Sequence, residues 1–160
     1  MASTSTNKQP MLIDRVLHVV VDLTGATVNA GAGIEVGGTN TAAPLIDSTS
    51  GDGAIIEDIY SYSRGTDYTI NLYISSASDY LRPQQGIYIG SFKSGAVAGA
   101  RAEYTDMPRI LAPVPRIGDE SSFRALYVPK GKAVWAAVVQ QSANDPATDA
   151  PLIGAQGGFY

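Results

Sequence analysis

Residues 123–141, FRALYVPKGKAVWAAVVQQ, constrain the fold more than any other stretch, because they read as a β-hairpin. Two apolar runs, residues 125–128 and 133–139, flank Pro129-Lys130-Gly131-Lys132. Pro129 presets φ for the first turn position, and Gly131 can take the positive φ that closes a tight reversal. Valine, tyrosine and tryptophan suit a pleated, half-buried surface. The segment predicts an antiparallel β domain, with Trp135 as a core anchor and Lys130-Gly131 as an exposed tip. It carries no catalytic group.

Other stretches repeat the signal. Within residues 11–23 (MLIDRVLHVVVDL), Val19, Val21 and Leu23 alternate with Val20 and Asp22, which predicts a strand. Residues 53–63 (GAIIEDIYSYS) and 67–75 (DYTINLYIS) predict a second hairpin, turning at Arg64-Gly65-Thr66. Ile70, Leu72 and Ile74 point one way, and Thr69, Asn71 and Tyr73 the other. That period of two puts one face on a core and leaves the other outside. Residues 86–93 (GIYIGSFK) form a further strand, where Gly90 marks a bulge or a close contact.

Between these lie the less regular segments. Residues 24–50 read as a long surface loop with a brief hairpin around Ile34 and Val36, and residues 76–82 as one helical turn stopped by Pro83. Residues 94–109 read as a Gly- and Ala-rich loop. In residues 110–115 prolines remove ladder donors, so only an edge or extended segment fits. Residues 151–160 (PLIGAQGGFY) close the chain as a last strand. The expectation is about eight strands in an all-β domain, an antiparallel β-sandwich of jelly-roll or Greek-key type. It occupies residues 15–160 as a single domain, preceded by an extended polar N-terminal arm over residues 1–14.

Composition limits the partners. Hydrophobic residues make up 44% of the 160, so a core is available, whereas charged residues are only 16%. The usual charged share is about 25%, and a surface this poor in charge is weakly protected against association. That favours a subunit of an assembly over a free monomer. The net charge is −4, and the 11 Lys and Arg are scattered singly, so no basic stripe marks a nucleic-acid partner. With no cysteine, disulfides, zinc-thiolate sites and thiol catalysis are excluded. The opening MASTSTNKQPMLIDR lacks the apolar core of a signal peptide. No apolar run approaches the ~20 residues of a membrane-spanning helix, so a soluble protein with no membrane partner is expected.

Catalytic motifs do not assemble. Gly31-Ala32-Gly33-Ile34-Glu35-Val36-Gly37 superficially resembles a dinucleotide fingerprint, but its spacing is too long and no βαβ unit surrounds it. His18 is the only histidine, without GxSxG or HExxH nearby, and reads as a hydrogen-bonded structural residue. Glu57-Asp58 and Asp119-Glu120 are adjacent carboxylates. Neighbours on a strand point to opposite faces, so Glu57 and Asp58 do not flank one bond. Neither residues 48–53 nor 145–149 have calcium-loop spacing. No catalytic residue, cofactor or metal is assigned, and no enzyme is expected.

Tyrosines carry more interest. Tyr60, Tyr62, Tyr68, Tyr73 and Tyr80 crowd into residues 60–80, with Tyr88 just beyond. Exposed, they would make a sugar-stacking platform or a protein interface. Buried, they are ordinary sandwich packing with hydroxyls reaching the rim. Tyr60, Tyr62, Tyr73 and Tyr80 are the interface candidates of the body, Tyr73 first because it opposes the Ile70/Leu72/Ile74 face.

The opening STNKQPMLIDRVLH, the stretch FRALYVPKGKAVWAAV and the closing LIGAQGGFY resemble virion structural proteins of tailed phages, especially those infecting cyanobacteria. The resemblance covers the N-terminal arm and the C-terminal third best, and residues 24–50 poorly. It implies a small β-rich component, often oligomeric, docked on a capsid, neck or tail. The expected function is a non-enzymatic capsid decoration or cement protein that bridges and stabilises capsid subunits. Its partners would be the major capsid protein or other virion proteins, with assembly in the host cytoplasm and self-association as a homo-oligomer, a trimer. Arm residues Asn7, Lys8, Gln9, Pro10 and Met11 would clasp a neighbouring subunit, since an extended segment adds backbone hydrogen bonds at a sheet edge. The alternatives are a neck, tail or fibre-associated subunit, and a carbohydrate-binding β-sandwich that recognises host surface glycans through Tyr73 and its neighbours. A glycoside hydrolase ranks last, for want of a poised acid/base pair.

Overall fold

The computed structural model describes residues 15–28, 42–48, 52–76, 87–106, 125–139 and 146–159. The predicted arm, the Ile34/Val36 hairpin, the 76–82 turn (save Ser76) and the 110–115 segment lie outside these residues, as does the Asp119-Glu120 pair. The described strands are β1 (Arg15–Asp22), β2 (Thr27–Val28), β3 (Ala43–Asp47), β4 (Gly53–Tyr62) and β5 (Thr69–Ser76). They continue with β6 (Ile87–Lys93), β7 (Arg101–Glu103), β8 (Leu126–Pro129), β9 (Lys132–Val139) and β10 (Leu152–Phe159), with a short helix α1 (Pro146–Asp149) before the last.

Two sheets pack face to face. One runs β1-β10-β4, with β7 and β8 both pairing along the far side of β4. The other runs β9-β5-β6, with β2 and β3 both on the far side of β9. Apart from the two-residue parallel contact of β2 with β9, every ladder is antiparallel. In chain order the partners nest: β1 takes β10, β3 takes β9, β4 takes β7 and β8, and β5 takes β6. A chain folded back on itself and then rolled into two sheets is a jelly roll. The sandwich predicted from the strand pattern is therefore present, and its topology is the jelly-roll one.

β7 and β8 are collinear. Tyr60 to Tyr62 of β4 face Glu103 to Arg101, and Gly53 to Ile56 face Pro129 to Leu126. They are the two halves of one strand position, interrupted between Glu103 and Leu126. β7 and β3 both fall in stretches that read as loop in sequence. β3 is hidden by Pro44, tolerated because it sits on the edge of its sheet at a bulge between Pro44 and Ile46.

Both predicted hairpins are corrected. Their strands exist, but β4 and β5 lie in opposite sheets, and so do β8 and β9. The turns are corners that carry the chain across the sandwich. Alternation cannot separate the two cases, since both strands of a hairpin and both strands of a corner turn one apolar face to the core. Gly131 does adopt the positive φ its turn requires, at 75°. The β8–β9 corner is plugged by the buried Ser48, whose hydroxyl lies 2.7 Å from the Pro129 carbonyl and 2.6 Å from that of Lys132.

The core lies between the sheets. Leu17, Ile56, Ile59 and Ile153 meet Ile70, Leu72, Val134 and Val138, and Tyr68 and Tyr104 enter the same cluster. Trp135 is not part of it: Val134 and Ala136 face the core, so Trp135 stands on the outer face and packs with Tyr73 and Ala137. In β4 the inward residues Ile56 and Ile59 are three apart instead of two, because the ladder with β10 shifts register there and leaves Glu57 as an extra residue. The bulge turns both Glu57 and Asp58 away from the core, so the expectation that they point to opposite faces does not hold.

A polar knot fastens the β4–β5 corner. Asp149, at the end of α1, accepts hydrogen bonds from Thr66 Oγ1 at 2.6 Å and from the buried Tyr68 hydroxyl. These two bonds, Thr66 foremost, hold its carboxyl below the ordinary value of 3.8. Asp22 is likewise held low, first by the Thr24 hydroxyl and also by Arg64. A carboxyl lowered in the folded state contributes stability that is complete above its unfolded value and lost as pH falls through the folded one. Thermal melts between pH 7 and pH 2 should therefore show stability falling below about pH 4. Asp149→Asn should melt lower than the parent at pH 7 and show a shallower acid decline.

Candidate interaction surface

The outward side chains form two different faces. Across the β9 sheet runs one row in register: Pro44 on β3, Trp135 on β9, Tyr73 on β5 and Tyr88 on β6. Tyr73 and Tyr88 meet edge to face, with ring centroids 5.8 Å apart. The Asn71 amide donates to the Tyr73 hydroxyl at 3.0 Å. Tyr73 does oppose the core-facing residues of β5, but it is only 8% exposed, whereas Tyr88 is 55% exposed. Burial pushes the Tyr73 phenol above its ordinary value, against the pull of the Asn71 bond. Trp135 Nε1 is buried without a hydrogen-bond partner among the described residues.

The β4 sheet carries a polar and aromatic face. Tyr60 lies flat across Gly154 of β10, its register partner, where a side chain would meet the phenol oxygen at 2.6 Å. Glycine is what lets the ring pass. Tyr60 thereby reaches β1, where its hydroxyl lies 2.9 Å from His18 Nε2, the tautomer deciding which group donates. The Arg101 guanidinium sits 4.6 Å over the Tyr60 ring, bonds Asp58 at 2.5 Å, and lies 3.4 Å from Glu103. Tyr62 stands edge to face against Tyr60 at 5.5 Å and is 38% exposed. His18 is thus a hydrogen-bonded surface histidine.

The predicted site residues are therefore not gathered together. Tyr60 and Tyr62 share the β4 face, and Tyr73 occupies the opposite face of the sandwich. Tyr68 is fully buried in between. Asn7, Lys8, Gln9, Pro10, Met11 and Tyr80 lie outside the described residues. Sequence reasoning missed Arg101, Gly154 and Trp135 as members of these faces. Arg101 and Gly154 become neighbours of Tyr60 only through ladders spanning the length of the chain. Among the described residues, no three His, Cys, Asp or Glu converge as a metal ion would need. No helix among the described residues is long and apolar enough to cross a membrane. The chain matches no family model, no curated protein and no solved structure.

Proposed function

We propose that the chain is a structural subunit of a tailed-phage virion, a capsid decoration or cement protein that bridges and stabilises capsid subunits. The observation that carries this reading is a jelly-roll body with large apolar side chains displayed on both outer faces. Val16, Val20, Tyr62 and Tyr127 lie on the outer face of one sheet and Tyr88 on that of the other, while exposed Ile87, opposite Ile74, stands at the rim. Such a body is suited to being held between neighbours, and the low overall charge supports the same role. The resemblance of the arm and of the C-terminal third to virion proteins supplies the particle. In this reading residues 7–11 anchor on the major capsid protein, and the body self-associates.

Co-sedimentation with assembled capsids tests the reading. The full chain is expected to saturate a capsid at hundreds of copies, and removal of residues 1–10 to abolish that saturation. Saturation at six or twelve copies would instead place the protein at the neck or tail. A second reading, glycan recognition, is favoured by the aromatic row that ends in exposed Tyr88. Hits on a glycan array that vanish in Tyr88→Ala would support it over the capsid role.

A further inference from the structure

We infer that β1 is a self-pairing edge through which two copies of this chain join their sheets across a two-fold axis. The inference starts from how the four sheet edges differ. An open edge is ordinarily blunted by proline, charge, bulges or interruption, because its unpaired backbone groups recruit other strands. β3 carries Pro44 and a bulge. β6 has a register shift against β5, and Gly90 sits in its middle at a φ of 153°. The far side of β4 is occupied by the split pair β7 and β8, with Arg101, Glu103 and Pro129 along it. β1 has no proline, bulge or interruption, and its charged residues, Arg15 and Asp22, stand only at its two ends. It runs eight residues in unbroken register against β10, from Arg15 opposite Phe159 to Asp22 opposite Leu152. Among the described residues β10 is its only ladder partner.

Its side chains also suit a copy of themselves. Leu17, Val19 and Val21 face the core, which leaves Val16, His18 and Val20 outward. Val16 is 79% exposed and Val20 52%. An antiparallel partner centred on His18 sets Val16 of one copy opposite Val20 of the other, twice, and His18 opposite His18. Only a second β1 gives this symmetry, because an isologous contact requires one patch to complement itself. Hydrogen bonding along the edge then extends one sheet through both copies. The pairing is two-fold, so it builds dimers or assemblies made of dimers. It holds whether or not the virion reading does.

Sedimentation equilibrium on the full chain tests it. The parent is expected to dimerise, and Val16→Lys/Val20→Lys to weaken dimerisation by about tenfold or more, because lysines then oppose lysines in both rows. Both positions are exposed, so far-UV circular dichroism should be unchanged. The chain has no cysteine, which permits a second arm. Facing residues on paired strands have Cα atoms about 4.5–5.5 Å apart, within disulfide reach. His18→Cys should therefore cross-link between copies on mild oxidation, and Ala98→Cys, on an exposed loop remote in sequence from β1, should not. A monomeric parent would overturn the inference. So would a dimer indifferent to the paired lysines, or cross-linking at position 98 without cross-linking at 18.

Discussion

Gly157→Ala is expected to unfold the sandwich. Gly157 lies in β10, which is hydrogen-bonded to β1 on one side and β4 on the other, at the point where the β4 ladder shifts register. A Cβ added there would collide with the Ile55 carbonyl oxygen and lie 2.9 Å from its carbon and 3.0 Å from the Ile56 Cα. All three are backbone atoms of a central strand, so no side chain can rotate aside. The bulge at Glu57 has already drawn the two strands together, and moving them apart would break ladders on both sides. A loss of about 4 kcal/mol or more is expected, in the range reserved for core strain. Gly25 supplies the contrast. It needs glycine for a φ of 77° but has open space where a side chain would go. Gly25→Ala should cost only about 1–2 kcal/mol, the backbone penalty of a left-handed residue. Urea melts of the two variants separate the mechanisms. A folded Gly157→Ala protein within about 1 kcal/mol of the parent would show that the two strands can separate at the bulge at little cost.

The long strands were legible in this sequence, but the short β2, β3 and β7 were not, and neither were the strand partners. The alternation of Ile70, Leu72 and Ile74 against Asn71 and Tyr73 is a local property, and it placed β5 and its core face correctly. Whether β5 then pairs with β4 or turns away from it depends on the corner at Arg64-Gly65-Thr66. Nothing in the side-chain period records that choice. The same ambiguity turned the Phe123–Gln141 stretch into a hairpin when it is two strands in two sheets. Trp135 was misplaced because apolar residues on both faces of β9 make a nearly continuous run, which gives no parity. Ala43-Pro44-Leu45-Ile46-Asp47 does not read as a strand because proline is at odds with a central one, and β3 is an edge. The interaction faces were harder still to see. Tyr60 owes its position to Gly154 and its partners to His18 and Arg101, residues 94, 42 and 41 places away in the chain.

Tyr104 and Gly90 should behave as one unit. Tyr104 follows β7, and its backbone N–H donates to the Ile59 carbonyl at 2.8 Å, extending the β4 ladder by one bond. Its side chain crosses to the other sheet, where the hydroxyl donates to the Ile89 carbonyl at 2.9 Å and the ring centroid lies 5.7 Å from that of Phe92. Burial pushes its phenol above the ordinary value, with Asp106 and Tyr88 adding to the rise. The ring passes directly over Gly90, where an added Cβ would collide with the hydroxyl and sit 2.8 Å from Cζ. Tyr104→Ala should lose about 3–5 kcal/mol, the usual cost of emptying a buried aromatic site. Tyr104→Phe removes only the bond to Ile89 and should lose about 1 kcal/mol. Gly90→Ala carries two penalties: a φ of 153° that side chains rarely adopt, and the clash with the ring. Only the second depends on Tyr104. In the double variant the ring is gone and the alanine methyl enters the space it vacated, so the clash disappears while the backbone penalty stays. The double variant should therefore be more stable than the sum of the single losses predicts, by about 1–3 kcal/mol. Strict additivity in that cycle would mean that the two residues do not touch, and that β6 is held to the β4 sheet by other contacts.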